Sequence, residues 1–412
     1  MKTKVKHMQE FLAVMVSFLI IPILSKRKIP VGIAICICAV IMAFLGGLGA
    51  ADFGNVISDT FLNFEKLKQF VVIAEISVIG VLLKKYGIID KMLDSLLKVI
   101  ESKRMVMMFI PALIGMLNVP GGAIMSAPLI DQLGEKSDLS KSHRAIINLI
   151  YRHAFMNIMP YTIGFLVVSS LAPRISIYKL IGLNSFFVVM YVIIGYFLYV
   201  RQVQNDTVTG YGFKWTSLPG LLKYTSPIYA AVLLNLMLGI PFYLGMLVNL
   251  LIIYLLYPTK RFLTDSARAF SFNVLYALIG VYLIQGIIGR MDSLTSFLNL
   301  ILANPSTAML GIAAATVFFG SVTGFQPTAL GVIIPIIITL PLSENTMLLY
   351  CHFTFIWSFV GYLFSPLHLC QLFTCEYMKV DMIDLYKEYR KFLAALVAVL
   401  VVNYFVMGLL VR

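Results

Sequence analysis

Charge is what this sequence has least of. Only 12% of its 412 residues are Asp, Glu, Lys or Arg, while 60% are hydrophobic. A soluble protein carries about a quarter charged residues, and half that share cannot coat a soluble fold of this length. The mean hydropathy of +0.92 agrees. A soluble enzyme, a nucleic-acid-binding domain and a disordered chain are thereby excluded. Alternating strand patterns are missing too. The apolar residues come in helix-length blocks, which excludes an outer-membrane barrel. Cysteine is sparse: Cys36, Cys38, Cys351, Cys370 and Cys375 lie in apolar stretches without disulfide-framework spacing, and read as small hydrophobes.

What remains is an all-α polytopic membrane protein. The net charge of +13 then reflects Lys and Arg in cytoplasmic loops rather than a nucleic-acid partner. Lys2, Lys4 and Lys6 precede the apolar stretch from Phe11 to Leu24. No small-x-small cleavage site follows, and Lys26-Arg27-Lys28 reads as a stop-transfer signal, so a retained first helix is expected.

Apolar spans fall near 9–25, 30–49, 66–86, 145–172 and 183–200, and again near 225–239, 241–257, 268–288, 344–365 and 391–410. Two uncharged runs do not fit this series. The run 105–130 is broken in its middle by Asn118-Val-Pro-Gly-Gly, and the run 293–343 by Gly320-Ser-Val-Thr-Gly-Phe-Gln-Pro. The leg before Asn118 is about 20 Å long as a helix, against a hydrocarbon core of about 30 Å. Pro and paired Gly at the centre disfavour one continuous span. Each run is expected to form a re-entrant hairpin, the alternative being a Pro-kinked spanning helix.

The two halves also correspond. Pro120 and Pro128 match Pro327 and Pro335; Ile150-Tyr151 through Pro160 matches Ile356-Trp357 through Pro366; Gly87-Ile-Ile-Asp-Lys-Met matches Gly286-Ile-Ile-Gly-Arg-Met. An internal duplication is expected. The first repeat occupies 1–204, with three spans, a hairpin at 105–134, a broken span at 141–172 and a last span at 183–200. A linker covers 205–224. The second repeat occupies 225–412, with three spans, a hairpin at 306–341, a broken span at 344–375 and a last span at 391–410. Short amphipathic pieces at 88–101 and 289–300 precede the hairpins. An odd number of spans per half inverts the second repeat. The architecture expected is about ten transmembrane helices plus two opposed hairpins.

Walking the loops, the N-terminal face collects few basic residues, among them Lys66, Lys68, Arg174, Lys179 and Arg290. The other face collects most of them, including Lys84, Lys85, Arg104, Arg144, Lys260 and Arg261. The basic-rich face is assigned to the cytoplasm of a cell (inner) membrane, with both termini extracytoplasmic.

Arg152 is the sharpest residue. It lies roughly 12 Å along a helix from Arg144 and cannot lose its charge. A charge inside a membrane is costly and marks a substrate path by default, so Arg152 reads as an anchor for an anion, or else as a snorkelling or structurally paired Arg. Glu75, inside the third span, reads as a coupling-ion residue, a counter-charge to Arg152 or a packing residue. The hairpin tips would leave free N–H groups suited to an anion and free C=O groups suited to Na⁺. The substrate-binding candidates are Asn118, Gly121, Gly122, Arg152, His153, Asn157, Thr323, Gly324, Gln326, Thr328, Ser365 and His368. Glu75 and Ser126 are the coupling-ion candidates. His368 and, more weakly, His153 and His352 read as polar liners or proton carriers. The spacing of His368, Cys370 and Cys375 is not a standard zinc arrangement, and neither a metal nor a cofactor beyond coupling Na⁺ or H⁺ is expected.

No His-Glu-x-x-His, Gly-x-Ser-x-Gly or paired-aspartate motif points to an enzyme. The function expected is secondary active transport of a small organic, carboxylate-like anion coupled to Na⁺ or H⁺. A cation/proton antiporter using Glu75 and His153, and a membrane enzyme or structural membrane protein, are the alternatives.

The stretch from Asn118 to Leu129 (NVPGGAIMSAPL), the segment Tyr151-Arg152-His153 and the stretch from Ser365 to Cys370 (SPLHLC) together resemble an uncharacterised prokaryotic family of integral membrane proteins. That family is grouped with the ion transporter superfamily, beside the divalent anion:sodium symporters, citrate carriers and gluconate permeases. The resemblance covers most of the chain. It implies an inverted-repeat fold, two opposed hairpins, a homodimer in the lipid bilayer and elevator-like movement. Dicarboxylate symporters carry Ser-Asn-Thr at their hairpin tips, where this chain has Asn118-Val-Pro and Phe325-Gln-Pro.

Overall fold

A computed structural model describes residues 2–117, 122–204 and 215–410. Among them every regular element is a helix. In the first half these are α1 (Lys2–Lys26), α2 (Val31–Leu45), α3 (Ala50–Phe61), α4 (Phe64–Lys85), α5 (Ile88–Val99), α6 (Lys103–Met116), α7 (Gly122–Glu135), α8 (Lys141–Ala154), α9 (Ile163–Leu171) and α10 (Ile177–Leu198). In the second they are α11 (Leu218–Leu238), α12 (Phe242–Leu256), α13 (Phe262–Ala269), α14 (Phe272–Ile288), α15 (Asp292–Ala303), α16 (Pro305–Thr323), α17 (Gln326–Thr339), α18 (Glu344–Leu363), α19 (Leu369–Met378) and α20 (Met382–Leu410).

Polar residues mark where helices start. Asn63 accepts from the N–H groups of Glu65 and Lys66 at the head of α4. Ser102, Ser140, Ser176 and Ser343 cap α6, α8, α10 and α18 in the same way. The segment between 49 and 66, to which the sequence assigns no span, folds as the amphipathic α3.

Five described helices are long and apolar enough to cross a membrane: Met8–Lys26, Ile177–Gln202, Trp215–Leu238, Glu344–Leu363 and Met382–Met407. A sixth results if α13 and α14, bent by 46° at their junction, form one span. α2 and α12 have only 15 residues each, about 22 Å of helix, and α4 carries charges at both ends. The long helices bare apolar side chains outward, with Met237 75% and Phe405 64% exposed. A surface of this kind suits lipid and fits a membrane-embedded protein.

α6 and α7 pack against each other and both against α8; α16 and α17 pack against each other and both against α18. Contacts between halves run in swapped pairs. α2 packs on α14 and α4 on α12; α7 on α19 and α9 on α17; α8 on α20 and α10 on α18; α1 on α15 and α5 on α11. Two glycines let α6 and α16 close on their neighbours. A Cβ at Gly115 would stand 1.9 Å from the Arg152 carbonyl oxygen, and one at Gly320 would stand 2.8 Å from the Ser358 carbonyl oxygen.

Gly115→Ala is expected to destabilise the fold by about 1–3 kcal/mol, since backbone rather than a flexible side chain must yield. Gly182→Ala, where nothing lies within 4 Å, serves as the control. The midpoints of thermal unfolding in detergent should fall for the first and hold for the second; equal midpoints would refute the packing argument.

Candidate functional site

Besides the bend between α13 and α14, three helix interruptions lie among the described residues. α8 stops at Ala154, a 3-10 turn Phe155–Asn157 follows, and α9 starts at Ile163 beyond Pro160. α16 stops at Thr323; Gly324 takes a φ of +60°, where only glycine is unstrained, and α17 starts at Gln326. α18 stops at Leu363, and α19 starts at Leu369 beyond Pro366.

Each interruption exposes backbone groups that need partners, and side chains supply them. Tyr161 Oη donates to the Met116 carbonyl at the end of α6 (2.9 Å). Thr162 Oγ1 donates to the Met156 carbonyl (3.2 Å). Thr323 Oγ1 donates to the Phe319 carbonyl (2.7 Å) and accepts from the Phe325 N–H (3.2 Å). Gln326 Nε2 donates to the Phe355 carbonyl (3.0 Å). Ser365 Oγ donates to the Ser321 carbonyl and accepts from the Leu367 N–H. Gln371 Nε2 donates to the carbonyls of Leu363 and Ser365, and Tyr386 Oη donates to that of Phe364 (3.1 Å).

Arg152 and His153 occupy the last turn of α8, and both are buried. A Cβ at Gly122 would lie 2.5 Å from Arg152 Nη2, so the guanidinium rests on bare backbone at the start of α7. On the other side, a Cβ at Gly324 would lie 2.8 Å from the Leu367 carbonyl, which seats the turn between α16 and α17 beside His368. His153 and His368 meet: their Nε2 atoms are 3.1 Å apart. Cys370 Sγ lies within 4.8 Å of a ring nitrogen of each histidine, and Tyr362 Oη is 3.5 Å from His153 Nε2. Gly122, Arg152, His153, Gly324 and His368 are thus brought together, with Thr323, Gln326 and Ser365 as supports of the same junction.

Ser126, one turn beyond Gly122, donates to Asn148 Oδ1 (2.6 Å). Asn148 Nδ2 in turn donates to the Ala123 carbonyl (3.1 Å) and Thr374 Oγ1 (3.2 Å), tying α7, α8 and α19 together. Glu75 stands apart in α4: it is buried, its Oε2 has no hydrogen-bond partner, and no ion pair among the described residues includes it. The Thr328 hydroxyl and both side-chain polar atoms of Asn157 are likewise buried without partners among the described residues. Asn118 and Gly121 lie outside the described residues.

A second polar chain joins His352 and Asn157, both named from the sequence, through Asn184 and Asn403, which the sequence reading missed. Asn403 Nδ2 donates to His352 Nε2 (2.7 Å), His352 Nδ1 donates to Asn184 Oδ1 (2.7 Å), and Asn184 Nδ2 donates to the Asn157 carbonyl (2.9 Å). It fastens α20, α18 and α10 to the first interruption. The only cue for it, or for Asn148, Tyr362 and Thr374, is a polar residue standing inside an apolar run. A cleft of about 310 Å³ reaches Pro160 from one face; Glu65, Lys68, Tyr178 and Asn235 line it.

Fold and site together define a helical membrane-embedded protein whose two halves meet at a buried polar junction. The chain belongs to the family described as "Protein of unknown function (DUF401)", whose model matches residues 9–410. No curated protein matches the chain.

Asn184→Leu keeps the volume but strands the His352 Nδ1–H and the Asn157 carbonyl. A loss of about 1–3 kcal/mol per stranded group is expected, read as a lower midpoint of thermal unfolding. A midpoint equal to that of the parent protein would show that the chain of bonds contributes nothing.

Proposed function

We propose that the protein is a secondary active transporter of a small organic anion, of carboxylate type, coupled to Na⁺ or H⁺. The observation that carries this reading is the Arg152 guanidinium, buried and resting on the Gly122 backbone beside the junction of both halves. A permanent charge in an apolar interior is kept where it serves a substrate or ion path. Backbone N–H groups at the start of α7 add a second attraction for an anion.

The swapped packing of the helices supports an inverted repeat. So does the equivalence of two contacts, Gly115 on Arg152 and Gly320 on Ser358. On that reading the chain has about ten spans, α6–α7 and α16–α17 are opposed re-entrant hairpins, and the second repeat is upside down. The cleft at Pro160 serves as an approach from the extracytoplasmic face, and the hairpins move against α1–α4 and α11–α14. The resemblance of the motifs at 118–129, 151–153 and 365–370 to members of the ion transporter superfamily supports this reading, with the protein acting as a homodimer in the cell membrane.

Arg152→Gln should lower uptake of labelled carboxylates into proteoliposomes by roughly 30-fold or more, as expected for removing a buried charge from its ligand at about 2 kcal/mol. Its elution on size exclusion should match the parent protein. Undiminished uptake would remove Arg152 from the substrate site. Glu75→Gln separates the coupling ions: uptake that loses its response to a pH gradient assigns H⁺ to Glu75, whereas an unaltered response excludes Glu75 from coupling.

A further inference from the structure

We infer that His153, His368 and Cys370 form a binding site for a borderline-soft divalent metal ion of the zinc type. The argument starts from where the ring hydrogens must be. His153 Nδ1 lies 2.6 Å from the Leu149 carbonyl oxygen, and His368 Nδ1 lies 3.2 Å from that of Leu363. A carbonyl only accepts, so each Nδ1 carries its ring's hydrogen. Gln371 Nε2 also lies 3.4 Å from His368 Nδ1, but its two hydrogens are directed at the carbonyls of Leu363 and Ser365.

In two neutral rings, both Nε2 atoms are then lone-pair acceptors, and they face each other at 3.1 Å. Facing lone pairs at this distance call for an electrophile between them. The separation is that of two imidazoles on one tetrahedral ion, whose nitrogens would be roughly 3.3 Å apart at the usual Zn–N distance. Cys370 adds a sulfur donor, with all three ligand atoms within 4.8 Å of one another. Two nitrogens and one sulfur match the donor preference of zinc-type ions. The backbone carbonyls on the two Nδ1 atoms are the outer partners that metal-bound histidines require to hold tautomer and orientation.

The site is composite. His153 ends α8 of the first half, while His368 and Cys370 begin α19 of the second. A metal here would clamp together the two interruptions on which the hairpins rest. Tyr362 Oη stands 3.5 Å from His153 Nε2, and Arg152 adjoins His153 in the last turn of α8; a positive charge beside the site suits an anionic fourth ligand. The metal site itself does not depend on the transport reading, because its test involves no transport.

The test uses tag-free, full-length protein in detergent, stripped with EDTA and titrated with Co²⁺. One equivalent per chain should bind, with a sulfur-to-cobalt charge-transfer band, and Zn²⁺ should displace it. Cys370→Ser should abolish the band, His368→Gln should weaken binding at least 100-fold, and Cys375→Ser should leave both unchanged. Zinc-edge absorption spectroscopy of the zinc-loaded parent protein should show one sulfur at about 2.3 Å and two imidazoles at about 2.0–2.1 Å, a readout that needs no variant to fold. Absent or substoichiometric binding, a band that survives Cys370→Ser, or a sulfur-free zinc shell would overturn the inference and leave a purely hydrogen-bonded cluster.

Discussion

In apolar surroundings a peptide group has no water to turn to, and an unpaired N–H or C=O costs several kcal/mol. This one constraint organises the middle of the molecule. α8–α9, α16–α17 and α18–α19 are each interrupted, and every interruption is answered by side chains that would be out of place elsewhere in an apolar protein. Asn184 reaches the turn after α8, Thr323 the turn after α16, and Gln371 the end of α18. Breaking a helix and then restoring its hydrogen bonds from outside is expensive in sequence terms. It replaces self-sufficient helix with backbone that depends on residues from distant segments.

That dependence joins the halves. Asn184 of the first half is held by His352 of the second, which Asn403 holds in turn. Asn148 of the first holds Thr374 of the second. His153 faces His368 across the same boundary. Within each half, close backbone contacts at Gly115 and Gly320 seat α6 on α8 and α16 on α18. Small residues and hydrogen bonds of this kind are what packs helices where lipid removes most of the hydrophobic driving force.

Much of this architecture was legible in the chain. Helix-length apolar blocks mean helices, and the all-helical structure follows from them. Pro160, Gly324 and Pro366 are local signals whose effect on a helix does not depend on the rest of the fold. Other features depend on what lies across the interface. Composition alone does not give the number of full spans: α2 and α12 are apolar throughout but have only 15 residues each. The segment that forms α3 carries Asp52, Asn55 and Asp59 and reads as a connection. The meeting of His153 with His368 spans 215 positions, and no spacing rule for metal ligands reaches that far. Cys370 therefore looked like one more small hydrophobe. Asn184, which joins His352 to the Asn157 carbonyl, is a lone polar letter in an apolar run.

The buried polar groups finally divide into two kinds, and the division bears on the transport reading. Ser126, Asn148, Thr323, Gln326, Ser365 and Gln371 have bonds that close helix ends or join helices. Their geometry already accounts for their presence. The Thr328 hydroxyl, the Asn157 amide and Glu75 Oε2 are buried and lack such bonds among the described residues. Burying a polar atom without a partner costs about 1–3 kcal/mol, a cost that a ligand, a coupling ion or ordered water would offset. On the transport proposal, Thr328, Asn157 and Glu75 are therefore the candidates for transient contacts among the site residues named from the sequence, and Ser126, Thr323, Gln326 and Ser365 the candidates for the frame that holds Arg152 in place.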